Sequence, residues 1–163
     1  MAKAKTKNDE AEKQYDPITD GDVDEGALPS VVEFDSDVDD QEAPKPIPKG
    51  WYNATITAAK NSMGKTSGKK YAELSMFVGE DQYPADFTDG EPDGMTIIYR
   101  RISLENGPRS RYRLKKFGAL FGMKIGRTLD LAEFVDKELK IKIDHRQGED
   151  GLWYPEIVDT RAA

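Results

Sequence analysis

Alternation of apolar and polar residues predicts three strands in the first half of the folded region, at about residues 51–60, 71–78 and 96–104. The side chains that this alternation directs inward are Tyr52, Ala54, Ile56 and Ala58, then Ala72, Leu74, Met76 and Val78, then Ile98, Ile102 and Leu104. Those directed outward are Trp51, Asn53, Thr55 and Thr57, then Tyr71, Glu73, Ser75 and Phe77, then Ile97, Tyr99, Arg101 and Ser103. Each strand therefore has one face for a core and one for solvent or a ligand.

The spacing changes to a helical period after the third strand. A helix is predicted from Arg109 to Phe121, and a short helical turn with a capping residue at its start from Asp130 to Asp136. The apolar stripe of the helix consists of Leu114, Phe117, Leu120 and Phe121. Two strands follow at residues 138–144 and 152–158, and Pro155 indicates that the last one lies at an edge or carries a bulge.

Three strands, a helix and two strands are the element order of an OB-fold, a five-stranded, partly open barrel. We expect an all-β domain with one inserted helix over residues 50–163. Residues 1–43 have too few apolar side chains to form a core, and we expect a disordered tail there. Prolines 44, 46 and 48 predict a stiff, extended linker over residues 44–49.

Charge divides the chain at the same place. Residues 1–43 contain four lysines and fourteen acidic residues, a net charge of −10, whereas the rest of the chain has a net charge of +3. A weakly cationic domain attached to an anionic tail suits a protein that binds a polyanion and carries its own competitor. The one apolar island of the tail, Val31–Phe34, is either an ordinary disordered stretch or a partner-docking motif.

Composition excludes several classes of function. The chain has no cysteine, which excludes disulfides, zinc–thiolate sites and thiol nucleophiles, and His145 is its only histidine. No run approaches the roughly 20 apolar residues of a membrane helix, and the basic first residues lead into no apolar stretch. We expect a cytoplasmic protein without a membrane partner.

Several short segments carry a family resemblance by their order and spacing. They are Gly50–Tyr52, Gly64–Tyr71, Leu74–Val78, Leu104–Asn106, the helix Leu114–Gly122, the turn Asp136–Glu138, and the hairpin strands Leu139–Ile143 and Leu152–Ile157. Together they resemble bacteriophage OB-fold single-stranded DNA-binding proteins over roughly residues 48–160. The resemblance implies single-strand binding during phage replication or recombination, in the cytoplasm of a bacterial host. Two features depart from it: an acidic loop at residues 79–95, and an acidic tail that is N-terminal, whereas many single-strand binders carry theirs at the C-terminus.

Binding a single strand without sequence preference requires cations along the backbone and rings on which bases stack, at about 1–3 kcal/mol per base. The outward residues of the first three strands are expected to form one platform, with Trp51, Tyr71, Phe77, Tyr99 and Arg101. The candidates for phosphate contacts beside it are Lys60, Lys65, Lys69 and Lys70, with Arg146 and Trp153 bordering the other side. The acidic tail would compete with DNA or recruit a replication or recombination protein. No cofactor or metal is expected.

Other interpretations stay open at this point. The five cations of the predicted helix, residues 109–116, form either a solvated surface or a second phosphate track. Residues 59–66 fit a relaxed phosphate-loop pattern, but a strand is predicted after them where that motif needs a helix, so we expect no enzyme. The acidic residues between 80 and 93 lack the spacing of a calcium loop. The alternative function is a protein–protein adaptor on the same barrel with little affinity for DNA.

Overall fold

The computed structural model describes residues 28–163, which fall in two units, one ending at Glu42 and the other spanning Ala43–Ala163. In the first unit the described residues, 28–42, are all exposed and contain one short 3-10 turn, Val38–Asp40. The side chain of Asp37 caps this turn by accepting a hydrogen bond from the Asp39 amide at 3.0 Å. The predicted tail disorder at residues 1–27 lies outside the described residues.

The second unit consists of five strands and one helix. They are β1 (Gly50–Met63), β2 (Lys70–Val78), β3 (Met95–Ser103), α1 (Pro108–Ala119), β4 (Glu138–Gln147) and β5 (Trp153–Ala162). The strands form one antiparallel sheet in the order β3-β2-β1-β4-β5. This order, with the helix between β3 and β4, is consistent with an OB-like fold, and the predicted fold class is confirmed.

The sheet curves until its two edges approach each other. Strands β3 and β5 lie at opposite ends of the strand order, yet they are in contact. The Arg101 guanidinium of β3 donates a hydrogen bond to the Glu156 carboxylate of β5 across this junction. Curvature of this kind leaves an inner face that encloses the core and an outer face that stays accessible.

The core lies between the inner face of the sheet, α1 and the 3-10 turn Leu131–Phe134. Phe117 of α1 is buried, with ring centroids 5.3 Å from Phe121 and 5.4 Å from Phe134. The other residues of the predicted apolar stripe of α1 pack against this cluster, so the predicted stripe is confirmed. The short helical turn is also present, and Asp130 caps it by accepting from the Ala132 amide at 3.0 Å.

A bulge in β1 makes one of the predicted strand faces wrong. Ile56 pairs with Met76, but Ala58 pairs with Ser75, so β1 holds one residue more than β2 over this stretch. An extra residue reverses the alternation beyond it. As a result Ala58 is exposed and Ala59 packs against the core.

A second bulge makes the predicted faces of the first half of β3 wrong, while Ile102 and Leu104 lie on the inner side as predicted. Ala72 pairs with Ile102 and Leu74 with Tyr99, so the extra residue here belongs to β3. Ile97 and Tyr99 consequently share the inner side with Ile102, whereas Ile98, predicted inward, is 38% exposed. The prediction that Tyr99 faces outward is wrong for this reason.

Residues 44–49, for which the prolines predicted a stiff, extended linker, pack on the sheet. Ile47 is fully buried, and its carbonyl oxygen accepts a hydrogen bond from His145 Nε2 at 2.8 Å. The Tyr52 hydroxyl donates to the Pro48 carbonyl oxygen at 2.7 Å, and the Lys45 amide donates to Asp89 Oδ2 at 2.8 Å. We call this segment the strap, because hydrogen bonds join it to β1, β4 and the loop after β2.

Candidate nucleic-acid interface

The turn between β1 and β2 displays exposed lysines at one end of the sheet. The Gly64 amide donates to the Lys69 carbonyl oxygen at 2.9 Å, and Gly68 supplies the positive φ of 70° that closes the turn. Lys65 and Lys69 are exposed within this turn, and Lys70, also exposed, begins β2. The turn and the first residue of β2 therefore hold three of the four predicted phosphate-contacting lysines together.

The connection into α1 lies at the same end of the sheet. The Leu104 amide donates to the Lys70 carbonyl oxygen at 3.0 Å, and the Lys70 amide donates to Glu105 Oε2 at 2.7 Å. Between Leu104 and Leu129 the chain carries seven lysines and arginines but a single acid, Glu105, for a net charge of +6. This segment and the β1–β2 turn together form what we call the basic end of the domain.

The opposite end of β2 is acidic. The loop between β2 and β3, residues 79–94, contains six acidic residues and no lysine or arginine. Nine residues of strand separate the two ends by about 25 Å, since each residue advances about 3.3 Å. Phe77, one of the predicted stacking rings, lies at this end, half-buried against Gly94. A β-carbon on Gly94 would approach the Phe77 Cζ atom to 2.5 Å, so glycine there allows the contact.

Lys60 and Arg100 share a carboxylate on the outer face. Lys60 Nζ lies 3.2 Å from Glu73 Oε1, and Arg100 Nε lies 2.7 Å from Glu73 Oε2. The hydrogen bonds from Arg100 and then Lys60 hold the pKa of Glu73 below its usual value. Lys60 thus lies where it was predicted, but its charge is already paired.

Trp51 lies on the outer face beneath a cation that sequence reasoning missed. Its side chain is 36% exposed, and the Arg161 guanidinium carbon of β5 lies 4.2 Å from the ring centroid. Lys142 is the β4 partner of Trp51, and the neighbouring Lys140 donates to Asn53 Oδ1 at 3.3 Å. The pairing of β1 with β4, and of β4 with β5, brings Arg161 here, and no local pattern marks it.

The turn between β4 and β5 lies beside the acidic loop and carries further rings. Trp153 is 53% exposed, and it lines a cleft of about 580 Å³ with Phe87 and the strap. Arg146 lies 5.6 Å from the ring centroid of Tyr154, whose hydroxyl donates to Asp150 at 2.6 Å. That hydrogen bond raises the pKa of Tyr154. Arg146 and Trp153 thus lie together, as predicted, but Tyr154 was missed.

The predicted single platform is divided in the structure. Tyr99 packs into the core with its ring 6.2 Å from Phe117, and burial raises its pKa. Arg101 is bonded to Glu156, and Tyr71 is half-buried beside the β1–β2 turn. Of the remaining candidates, Lys65, Lys69 and Lys70 lie at the basic end, Phe77 lies at the acidic end of β2, and the side formed by β1, β4 and β5 holds Trp51, Arg146 and Trp153.

These features define a five-stranded β domain with one helix, an OB-like topology and a basic end formed by a turn and a helix. Residues 33–162 match the model of a family described as "Protein of unknown function (DUF669)", and the chain belongs to this family. Comparison with curated proteins yields no match.

Two further findings concern residues 28–163. That part of the chain has no helix with the length and apolar character needed to cross a bilayer. It also has no cluster of three or more His, Cys, Asp or Glu side chains placed to hold a metal ion.

Proposed function

We propose that this protein binds single-stranded DNA without sequence preference, through base stacking and phosphate contacts, during phage replication or recombination. The observation that carries the proposal is the position of the lysines. OB folds bind oligonucleotides through the β2–β3 face and the loops β1–β2 and β4–β5. Here the first of those loops holds exposed Lys65 and Lys69, with Lys70 beside them.

The aromatic rings on the side formed by β1, β4 and β5 support base stacking. Trp51 and Trp153 are both exposed by a third or more, and arginines lie within 6 Å of the Trp51 and Tyr154 rings. A base stacks on an aromatic ring or on a guanidinium plane, and neither contact depends on which base is present. The rings can stack on bases and the lysines can contact phosphates, so the two sets of side chains match the two chemical parts of a single strand.

The test is fluorescence anisotropy of labelled oligo-dT with the full chain, from low to moderate salt, with duplex of equal length for comparison. Each phosphate contact to a single strand contributes about −0.7 to the slope of log affinity against log salt. The double variant Lys65→Gln/Lys69→Gln should therefore lower the magnitude of that slope by about 1.4 and weaken binding roughly tenfold at low salt.

The matched control is Arg109→Gln/Arg113→Gln, which removes the same charge from exposed positions on α1. It should change affinity by less than about threefold, a long-range charge effect alone. Equal losses in the two variants would contradict the role of the β1–β2 turn. Absence of salt-sensitive single-strand binding by the full chain would overturn the proposal and favour the adaptor function.

A further inference from the structure

A groove of about 670 Å³ opens on the basic end of the domain. Its walls are the first half of α1 and the segment 125–131 that follows the helix, and Asn61 of β1 lies at one side. Apolar side chains that pack on the core, among them Leu104 and Leu129, form part of the lining. We call it the α1 groove; it lies apart from the outer face of the sheet.

The polar side chains of the groove are mainly cationic. Arg111, Lys115 and Arg127 line it, and all three are exposed. The one acid in the lining, Glu105, already accepts the Lys70 amide at 2.7 Å. Residues 104–131, which supply both walls of the groove, have a net charge of +5 within a body whose total is only +3, so its chemistry is that of an anion site.

An exposed ring stands among these cations. Tyr112 lines the groove and is 59% exposed. Arg111 and Lys115 are four residues apart on α1 and therefore lie on one face of the helix, one turn after another. Cations in a row beside an exposed ring fit a strand of alternating phosphates and bases better than they fit a single small anion.

The groove is continuous with the lysines of the β1–β2 turn. Asn61 pairs with Ala72 next to that turn, and Lys70 is bonded through its backbone to Leu104 and Glu105. A strand that leaves the lysines would meet the groove without crossing the acidic loop, which lies at the other end of β2.

We infer that the α1 groove is a second part of the single-strand path, in which Arg111, Lys115 and Arg127 contact phosphates and Tyr112 stacks on a base. The inference rests on the proposed function and extends it: a short oligonucleotide fills the sheet face and the β1–β2 turn, and only a longer strand reaches the groove.

The test compares oligo-dT of about 6 nucleotides, near the lower end of the usual site size of one OB fold, with oligo-dT of about 20 nucleotides, beyond its upper end. The variant Arg111→Gln/Lys115→Gln/Arg127→Gln in the full chain should weaken binding of the long oligonucleotide at least tenfold and lower its salt slope by about 2. Binding of the short oligonucleotide should change by less than about threefold. Tyr112→Leu should weaken the long complex and spare the short one.

The matched control is Arg109→Gln/Arg113→Gln/Lys116→Gln, which removes three exposed cations from the same helix outside the groove lining. Thermal unfolding verifies that each variant is folded. Similar losses in the groove and control variants, or equal losses for both oligonucleotides, overturn the inference and leave the proposed function standing. Binding of neither oligonucleotide by the unaltered chain overturns both.

An acidic peptide is the competing occupant, and poly-glutamate is its probe. If poly-glutamate binds the unaltered chain but not the groove variant, while both oligonucleotides bind the two proteins alike, the groove is a peptide site and the inference is wrong.

Discussion

Glu73 lies near the middle of the outer face, where it holds two cations that a phosphate would otherwise attract. Its carboxylate accepts from Arg100 and contacts Lys60, and both cations are more than half exposed. Exposed ion pairs contribute about 0–1 kcal/mol to stability. The same pairs align two side chains across β1, β2 and β3, so the residue organises the face and also limits its positive charge.

Replacing Glu73 with Gln should lower the free energy of unfolding by about 0.5–1 kcal/mol at neutral pH. Because the folded-state pKa of Glu73 is lowered, its contribution is full above the usual glutamate pKa and is lost as the pH falls through the folded value. The difference between the two proteins should therefore shrink on acidification. Urea unfolding at a series of pH values measures it, with Glu80→Gln as the control. A difference that persists unchanged at the lowest pH would contradict the assignment.

At the scale of elements, the strap contains a buried residue that the local sequence pattern did not predict. Prolines 44, 46 and 48 predicted a stiff, extended linker, but an isolated isoleucine between prolines has no period that reveals burial. Ile47 is buried because β4 supplies His145 and β1 supplies Tyr52 to hold the backbone around it. These contacts join residues far apart in the sequence.

Ile47→Ala should therefore destabilise the protein by about 2–5 kcal/mol, the cost of removing a buried isoleucine side chain. The measurement is denaturant unfolding, and Val32→Ala is the matched control, since Val32 is exposed in the first unit. If the two variants unfold alike, residues 44–49 behave as a linker and the strap assignment is wrong.

Element order was predictable, and strand faces only in part. The apolar period located five strands and the helix, because each buries one side against the same core. The bulges in β1 and β3 each insert one residue, and no local residue type marked them. The faces of β3 were inverted before its bulge for that reason, and Tyr99 was assigned to the interface when it belongs to the core, whereas the inward assignment of Ile102 was correct.

How much of the candidate site could be predicted also depended on whether its residues belong to one local segment or to distant ones. Lysines of the β1–β2 turn were predictable because a glycine-rich turn exposes whatever it carries. Arg161 above Trp51, and the groove beside α1, arise from pairings between distant segments and left no signal in the local sequence.

At the scale of the whole molecule, charge is distributed in blocks. Residues 1–42 carry the same net charge of −10 as the predicted tail, the loop 79–94 carries −6, and the segment 104–129 carries +6. The unit Ala43–Ala163 contains the complete core and is expected to fold without the residues before it. Single-strand binding by this unit can thus be measured apart from the acidic block.

A chain that begins at Ala43 should bind oligo-dT roughly tenfold more tightly than the full chain at low salt. The gap should close as salt rises, because the screening length falls from about 30 Å at 0.01 M to about 8 Å at 0.15 M. Titrations at several salt concentrations test this. A full-length chain with residues 1–42 in shuffled order has the same charge and should match the unaltered protein. Equal affinity of the long and short chains at low salt would contradict competition by the acidic block.

Separation of the basic end from the acidic loop places segments with net charges of +6 and −6 at opposite ends of β2. In the electric field of a polyanion, a domain with this charge distribution experiences a torque and would rotate before it makes contact. Most collisions would then present the β1–β2 turn and α1 first, so fewer encounters are wasted on wrong orientations. In the proposed single-strand binder, the acidic loop, far from the lysines, would thereby contribute to the rate of association by orienting the molecule.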